Sequence, residues 1–440
     1  MFKAQPTLEV LIHRAETALM AWDREEQMHC LELALSLEPR DPHLWNLLID
    51  SHWVFDESHQ GLAIWYQAAA LRPESVASCL SLGNLQRDLN AFEAAEAAYA
   101  RAMELGSTQE QREVAWNRSQ NLIGLECYEQ AYVLAEQRLA TVQHDVWRSP
   151  PYWHGWCDGS AAAATDQPRT ITIWSEQGFG DTLQYLRWLP RLLQCGHAVR
   201  LEVEPPLLPL LRQGLAWLGP DLTIVPKGVA PRPLIDPCHG SLLSLPWLLG
   251  GAPMPEPFPP QGLGYLRSPS WPRAAKAAGR PPRVGLVWAT GRKQKDPFLR
   301  REYERRSLPA PVLVHLLEGL EQAGAELVCL QFGEDRRRAD AWDGTFAATL
   351  ADGVSLADNA HWIAALDLVI TVDTAMAHLV GAMGALGWVL LPWAADPRWL
   401  RDRVDSPWYP SLTLLRQPAH RDWDGLVQRI LRRFQQWRAT

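Results

Sequence analysis

Glu176 to Thr182 reads Glu-Gln-Gly-Phe-Gly-Asp-Thr, a carboxylate set beside two glycines between an apolar β-type run (Thr170 to Trp174) and a helical pattern. Glycines let the backbone turn tightly and approach a ligand, and a helix N-terminus favours anionic groups. Asp181 can therefore stand beside a substrate as a proton acceptor. The same letters also fit a strand-turn-helix joint in which Asp181 only caps the helix.

Three further segments have this character, each after an apolar strand pattern. Ala289 to Lys295 carries Thr290, Gly291, Lys293 and Lys295, with Arg305, Arg306 and Ser307 shortly after. A hydroxyl, a glycine and several cations suit a pyrophosphate, or else form a solvated basic loop. Gln331 to Glu334 offers a carboxylate to a ribose diol, or a plain surface Glu. Val372 to His378 reads Val-Asp-Thr-Ala-Met-Ala-His and opens a helix directly from a strand. Asp373 and Thr374 are capping types, Ala375 permits close approach, and His378 falls one turn after Thr374 on the same face. Amides, a hydroxyl and an imidazole would then converge on one phosphate. An N-capped helix with an incidental histidine explains the same residues.

The elements that must position these loops alternate strand and helix. Strands are predicted at Ile171 to Trp174, Val199 to Val203 and Leu222 to Val225, with helices at Asp181 to Leu193 and Pro206 to Leu215. After a proline-rich stretch from Pro253 to Pro282, strands recur at Val284 to Trp288, Leu327 to Gln331, Leu368 to Val372 and Trp388 to Leu391. The alternation predicts two doubly wound parallel lobes, about 170–275 and 276–440, whose ligands bind beyond the strand C-terminal ends. Thr141 to Arg169, rich in Gly, Pro and Ala, reads as a linker.

Ahead of it, residues 1–140 repeat themselves. Ala34, Ala68 and Ala102 recur every 34 residues, as do Leu37, Leu71 and Leu105, with Pro39 and Pro73 on the same period. Trp65 and Tyr99 precede the second and third alanines by three positions. A fourth unit, beginning at Tyr128, arrives two residues late. The period is that of tetratricopeptide helix pairs, which must stack to bury their apolar faces and so form a surface suited to a peptide or protein. A rigid spacer or a dimer surface is the alternative use.

The chain has 440 residues and net charge −8, with no basic stripe for nucleic acid, and neither a leader nor a membrane span is expected. Seven scattered cysteines without a C-x-x-C pair argue against a disulfide or zinc framework, and a cytoplasmic protein is expected. The D-x-D string Asp422-Trp423-Asp424 precedes the terminal helix and is read as capping, not as a metal site.

The blocks EQGFGDTLQYLRWLP, HGSLLSLPWLLG, VGLVWATG, DNAHWIAALDLVITVDTAMAHLVGAMG and DSPWYPSLTLLRQ, with Arg305 to Ser307, resemble bacterial proteins in which tetratricopeptide repeats precede a two-lobed GT-B glycosyltransferase domain. The Gly-Asp loop and the Asp-Thr-Ala-x-x-His block are similar to glycosyltransferase family 9 heptosyltransferases, and the layout to protein O-GlcNAc transferases. The resemblance implies an α + α/β chain that transfers a sugar from a nucleotide-sugar donor to an acceptor hydroxyl, with inversion and without metal or cofactor. It implies Asp181 as general base beside Gly178, Gly180, Thr182 and Gln184. It implies a donor site of Thr290, Gly291, Lys293, Lys295, Arg306, Gln331, Glu334, Asp373, Thr374, Ala375 and His378. The segment from Gly291 to Ser307 is longer and more charged than the short loop usual in that family. A protein captured by the repeats is the expected acceptor; a glycan or lipid-linked acceptor, or a non-catalytic scaffold with a degenerate domain, is the alternative.

Overall fold

The computed structural model describes residues 6–69, 71, 74–141, 170–228, 238–249, 264–271, 279–291, 296–351 and 353–439. The predicted linker beyond Thr141, together with Lys293 and Lys295, lies outside them.

The N-terminal third is a run of antiparallel helix pairs: α1 (Leu8–Ala21) with α2 (Arg24–Leu37), α3 (Pro42–Val54) with α4 (Ser58–Ala68), α5 (Val76–Asp88) with α6 (Phe92–Leu105), and α7 (Thr108–Gly124) with α8 (Tyr128–Ala135), followed by the single turn α9 (Arg138–Thr141). Local chemistry marks the starts. Thr7, Asp23, Asp41, Ser75 and Ser107 each accept a backbone N–H of the helix they precede, and Pro42 opens α3 where its missing N–H costs nothing. The turn inside each pair is held by one left-handed residue, Trp22, Asp56, Asn90 and Glu126, spaced by 34, 34 and 36 residues. The late fourth unit is thus a two-residue insertion. Ala34, Ala68, Ala102 and Ala131 are fully buried where helices meet, whereas Leu37, Leu71 and Leu105 on the same period are exposed. A Cβ at Gly83 would stand 2.5 Å from the Tyr99 ring, so the small residue there is a packing requirement.

After the linker come β1 (Thr170–Trp174), α10 (Phe179–Tyr185), α11 (Leu189–Gln194), β2 (Ala198–Val203), α12 (Leu208–Gly214), β3 (Leu222–Pro226), β4 (Cys238–Ser241) and α13 (Leu245–Leu248). The helix expected from Asp181 to Leu193 is broken into two by a 3-10 turn at Leu186–Trp188, because Pro190 has no N–H for the Leu186 carbonyl. A second series follows: β5 (Arg283–Val287), α14 (Pro297–Arg306), α15 (Ala310–Gln322), β6 (Glu326–Cys329), β7 (Ala348–Thr349), α16 (Leu356–Ala364), β8 (Leu368–Val372), α17 (Ala375–Ala382), β9 (Gly387–Leu391), β10 (Leu412–Arg416) and α18 (Trp423–Ala439). Asp422 caps α18 through Gly425 N–H at 2.8 Å, as its sequence position predicts.

Every described strand pair is parallel. The first sheet runs β3-β2-β1-β4 and the second β10-β9-β8-β5-β6-β7. The second is the doubly wound dinucleotide-fold order, reversing between β5 and β8, and the first reverses between β1 and β4. At those two places neighbouring loops diverge to opposite faces and leave a crevice at the strand C-termini. Four tryptophans of this part of the chain, Trp188, Trp288, Trp388 and Trp408, are among the largest fully buried side chains.

The chain divides into two compact units. One is Met1–Val142 with Gly291–Arg305 and Ala394–Arg401, and the other is the remainder. Two segments from the second half of the sequence are therefore built onto the repeats. They meet the turn residues in register with the period: Arg300 lies over Trp22, Arg301 over Trp53 with its Nε on the Trp53 carbonyl at 2.7 Å, and Arg401 bonds Asn90 O at 2.9 Å. Arg301, 2% exposed, also pairs with Asp88, and Arg305 reaches Asp56 at 3.0 Å and Asp88 at 3.7 Å. Arg305, expected at a donor phosphate, is thus committed to the repeats.

Candidate functional site

The site lies within the second unit, where the loops at the two reversal points come together. After β1 the chain passes Ser175 and Glu176, turns through Gln177 in the left-handed region (φ 64°) and enters α10 with Gly178 as N-cap. A bulky residue held at positive φ stores strain, which a packed loop must sustain. Asp181 is half-buried at the third helical position, where its Oδ2 accepts Gly178 N–H at 3.0 Å. That bond fixes the loop and aims the carboxylate back toward the β1 end. Thr182 is fully buried, its hydroxyl turned to Gly178 O at 3.4 Å, and Gln184 is buried as well, so both belong to the inner face of α10.

Around them the other strand ends supply polar groups that sequence reading did not single out. Ser175 Oγ donates to Glu204 at 2.7 Å, Lys227 Nζ donates to the Ser175 carbonyl at 3.0 Å, and Ser241 Oγ donates to Glu176. These residues follow or close β1, β2, β3 and β4 in turn, so the end of the first sheet is a small charged floor. Glu204 and Lys227 stand outside the quoted motif blocks, and their signal is a place one residue after a strand.

On the second sheet, β8 ends at Val372 and the chain enters α17 through Asp373 and Thr374. Thr374 is extended (φ −146°) and its Oγ1 accepts Met376 N–H at 3.0 Å, a genuine N-cap. Asp373 is 3% exposed, with Arg306 Nη1 at 3.5 Å. Arg306 is therefore brought to the β8 loop through a carboxylate. His378 is buried one turn into α17, its Nδ1 2.8 Å from Tyr409 Oη. Its other edge faces the β1 loop: a Cβ at Gly180 would lie 2.7 Å from His378 Cδ2, 3.2 Å from Nε2 and 3.6 Å from Ala375 Cα. The glycine is needed because the α17 backbone and the imidazole occupy the space a side chain would take.

Other expected donor residues divide by role. Thr290 is buried with its N–H on Ser307 Oγ at 3.2 Å, and Gly291 is exposed. Gln331 is buried, and its Oε1 accepts the N–H groups of Trp288 and Ala289 at 3.0 and 2.9 Å, which straps the β5 and β6 ends together. Gln417 does the same for β9 and β10, accepting Trp393 N–H at 3.0 Å. Glu334 is exposed at the start of a 3-10 helix, Gly333–Ala339.

Behind His378 lies a buried aromatic cluster. Arg187, 6% exposed, has its guanidinium carbon 5.7, 5.5 and 5.3 Å from the ring centres of Tyr265, Trp408 and Tyr409. Among the described residues no carboxylate pairs with it, and its Nε is buried without a partner. Tyr265 Oη donates to Leu183 O at 2.5 Å and is itself touched by Tyr409 and Arg187. Burial pushes the Tyr265 phenol pKa up, against the opposing pull of the Arg187 cation. Among the described residues no cluster of three or more metal-type side chains is present, and no helix is long and apolar enough to cross a membrane.

No family model matches the chain. It is similar to Protein FlbA of Caulobacter vibrioides, 25% identical over 94% of this chain and 70% of that protein. Among solved structures it is similar to E. coli ADP-heptose LPS heptosyltransferase II (14% identity, 62% of this chain and all of that one, TM-score 0.45). It is similar to a glycosyl transferase of family 9 from Veillonella parvula (12%, 56% and 86%, TM-score 0.39) and to a Thermobaculum terrenum O-GlcNAc transferase mutant (14%, 98% and 93%, TM-score 0.34). The strand orders and the helix period, which stand apart from these distant likenesses, make the chain a tetratricopeptide-type array followed by two parallel, doubly wound sheets of the GT-B, double Rossmann-like kind.

Proposed function

We propose that the protein transfers a sugar from a nucleoside-diphosphate sugar to an acceptor hydroxyl, with Asp181 as general base. The observation that carries this reading is the close packing of the helix starts that follow the two reversal-point strands, Gly180 in α10 against His378 and Ala375 in α17. A donor diphosphate beside Thr374, Ala375 and His378 would set its anomeric carbon toward Asp181. Arg306, paired with Asp373, holds the β8 loop in place, and Thr290 and Glu334 stand on the donor side, while Lys293 and Lys295, the cations expected at the phosphate, lie outside the described residues. The acceptor oxygen attacks the anomeric carbon, its proton passes to the Asp181 carboxylate, and the carbon–oxygen bond to the diphosphate breaks. Negative charge builds on the leaving nucleotide, where fixed N–H donors and cations stabilise it more than they stabilise the intact donor. One displacement inverts the anomeric configuration, and no metal is needed in this scheme. The acceptor is a protein presented by the repeats.

One observation favours the alternative of a non-catalytic scaffold: Asp181 already serves the loop by accepting Gly178 N–H. Incubation with a panel of nucleotide sugars, reading nucleotide release, tests the proposal. Release from one donor, accelerated by an acceptor protein, supports it, and no release from any donor returns Asp181 to its capping role.

A further inference from the structure

The left-handed Gln177 is bracketed by polar anchors that take no part in the proposed reaction. Its side chain is exposed, so packing of that side chain does not keep it at φ 64°. A non-glycine residue stays in this region only where its surroundings over-determine it. Ser175, two positions earlier and fully buried, has its N–H, hydroxyl and carbonyl all engaged. The N–H donates to Glu202 O at 2.9 Å, Oγ donates to Glu204 Oε2 at 2.7 Å, and the carbonyl accepts from Lys227 Nζ at 3.0 Å. Glu204 Oε1 lies 3.5 Å from the same Nζ, so one ion pair grips both the side chain and the backbone of Ser175. The sheet register puts the pair there. Val203 on β2 faces Pro226 on β3, and Glu204 and Lys227 are the next residues of each strand, with Lys227 N–H on Val203 O at 2.7 Å. Beyond Gln177, Gly178 N–H donates to Asp181 Oδ2 at 3.0 Å.

We propose that Lys227, paired with Glu204, is a positioning residue for Asp181: by clamping Ser175 it holds Gln177 left-handed and keeps Gly178 N–H aimed at the carboxylate. The inference deepens the general-base reading and rests on it. Between the gripped Ser175 carbonyl and Gly178 N–H the chain has only Glu176 and Gln177. Glu176 is tied to β4 by the Ser241 hydroxyl, so relaxation after loss of the clamp falls on Gln177. A Gln177 that returns to negative φ turns Gly178 N–H away from Asp181, and the carboxylate loses the bond that orients it. A reacting group displaced by about 1 Å costs on the order of 10² in rate. Lys227 acts from the end of β3, whereas the proposed diphosphate contacts lie at the start of α17. Turnover and nucleotide affinity therefore respond separately to its loss.

The test compares Lys227→Met with Lys227→Arg in the full chain. It reads turnover at saturating donor, nucleoside-diphosphate affinity, and hydrogen exchange of the peptide from Glu176 to Thr182 by mass spectrometry. Lys227→Met is expected to lower turnover about 10- to 100-fold and to speed exchange of that peptide, with nucleotide affinity unchanged. Lys227→Arg still donates to the Ser175 carbonyl and is expected to keep both turnover and slow exchange. Adding Gln177→Gly to Lys227→Met is expected to restore part of the turnover, because glycine holds positive φ without strain. If Lys227→Met fails to fold, Glu204→Gln takes its place, since it keeps an acceptor for Ser175 Oγ and removes the charge that holds the lysine. Unchanged exchange in the variant overturns the inference, whether turnover falls or not. So does a rise in acceptor KM alone, which would make Lys227 an acceptor contact. Exchange that responds as expected in a protein that releases nucleotide from no donor would instead remove the general-base reading, and with it the catalytic consequence of the clamp.

Discussion

Two buried arginines solve the same problem in different ways. Arg301, in the unit built on the repeats, is 2% exposed and, besides lying over the Trp53 ring at 4.3 Å, is answered by carboxylates and a carbonyl: Asp88, Glu302 at 2.8 Å and Trp53 O at 2.7 Å. Arg187, in the two-sheet unit, is 6% exposed and is answered by three aromatic faces with no carboxylate paired to it among the described residues. A guanidinium matched by carboxylates has its field cancelled locally and acts as a rivet. One matched by π faces keeps much of its field, which then acts on the hydroxyls and imidazole beside it. The first arrangement suits a joint, and the second suits the wall of a site.

The largest expected effect lies at the cleft itself. Asp181→Asn keeps size and the ability to accept Gly178 N–H through its amide oxygen, but it cannot take a proton. Turnover at saturating donor is expected to fall by about 10² to 10⁴, with melting temperature and nucleotide affinity little changed. Next comes the same substitution at both arginines, which sharpens the contrast. Arg301→Met leaves the buried Asp88 with Ser58 Oγ at 3.3 Å and the longer Arg305 contact at 3.7 Å, and is expected to cost about 3 kcal/mol in chemical denaturation. Gly180→Ala drives a methyl against His378 and Ala375. It is expected to cost about 1 to 3 kcal/mol and to weaken nucleoside-diphosphate binding in a calorimetric titration. The smallest effect on stability is expected from Arg187→Met, which strands no carboxylate: less than about 1 kcal/mol, while nucleotide affinity still drops several-fold. Equal destabilisation by the two Met substitutions would break the comparison.

What was legible in the sequence follows the range over which each signal acts. The 34-residue period and the strand-loop-helix grammar are local or periodic, and the buried alanines and the capping Thr374 appear where expected, while the close approach at Gly180 is to His378 and Ala375. Strand order is not local. β4, β7 and β10 escaped the pattern because they are short or sit in Gly-rich and Trp-rich context, yet β4 is what makes the β1 loop a reversal point. Gln331, placed on the donor side by the resemblance, has its oxygen engaged by two backbone N–H groups, a role that no local pattern signals. Thr182 and Gln184 lie on the buried side of a helix that opens earlier than expected, at Phe179.

The attachment of α14 to the repeats was invisible for a plainer reason. Arg301 and Asp88 stand 213 positions apart, and no propensity or period links them. It also alters what truncation means: deleting residues 1–140 would strip Asp56 and Asp88 from Arg301 and Arg305 as well as remove an acceptor surface. Arg187 and Tyr409 sit inside two blocks whose resemblance was noted, EQGFGDTLQYLRWLP and DSPWYPSLTLLRQ, without a role for either. Only the fold brings them to one histidine.

The account turns on whether the crevice around Gly180, Thr374 and His378 holds a nucleoside diphosphate. Isothermal titration of such nucleotides into the full chain and into His378→Ala measures this directly. Binding with a dissociation constant below about 1 mM, weakened about tenfold or more in a variant of unchanged melting temperature, is the expected result. No heat of binding at millimolar nucleotide, or equal affinity in both proteins, would contradict it.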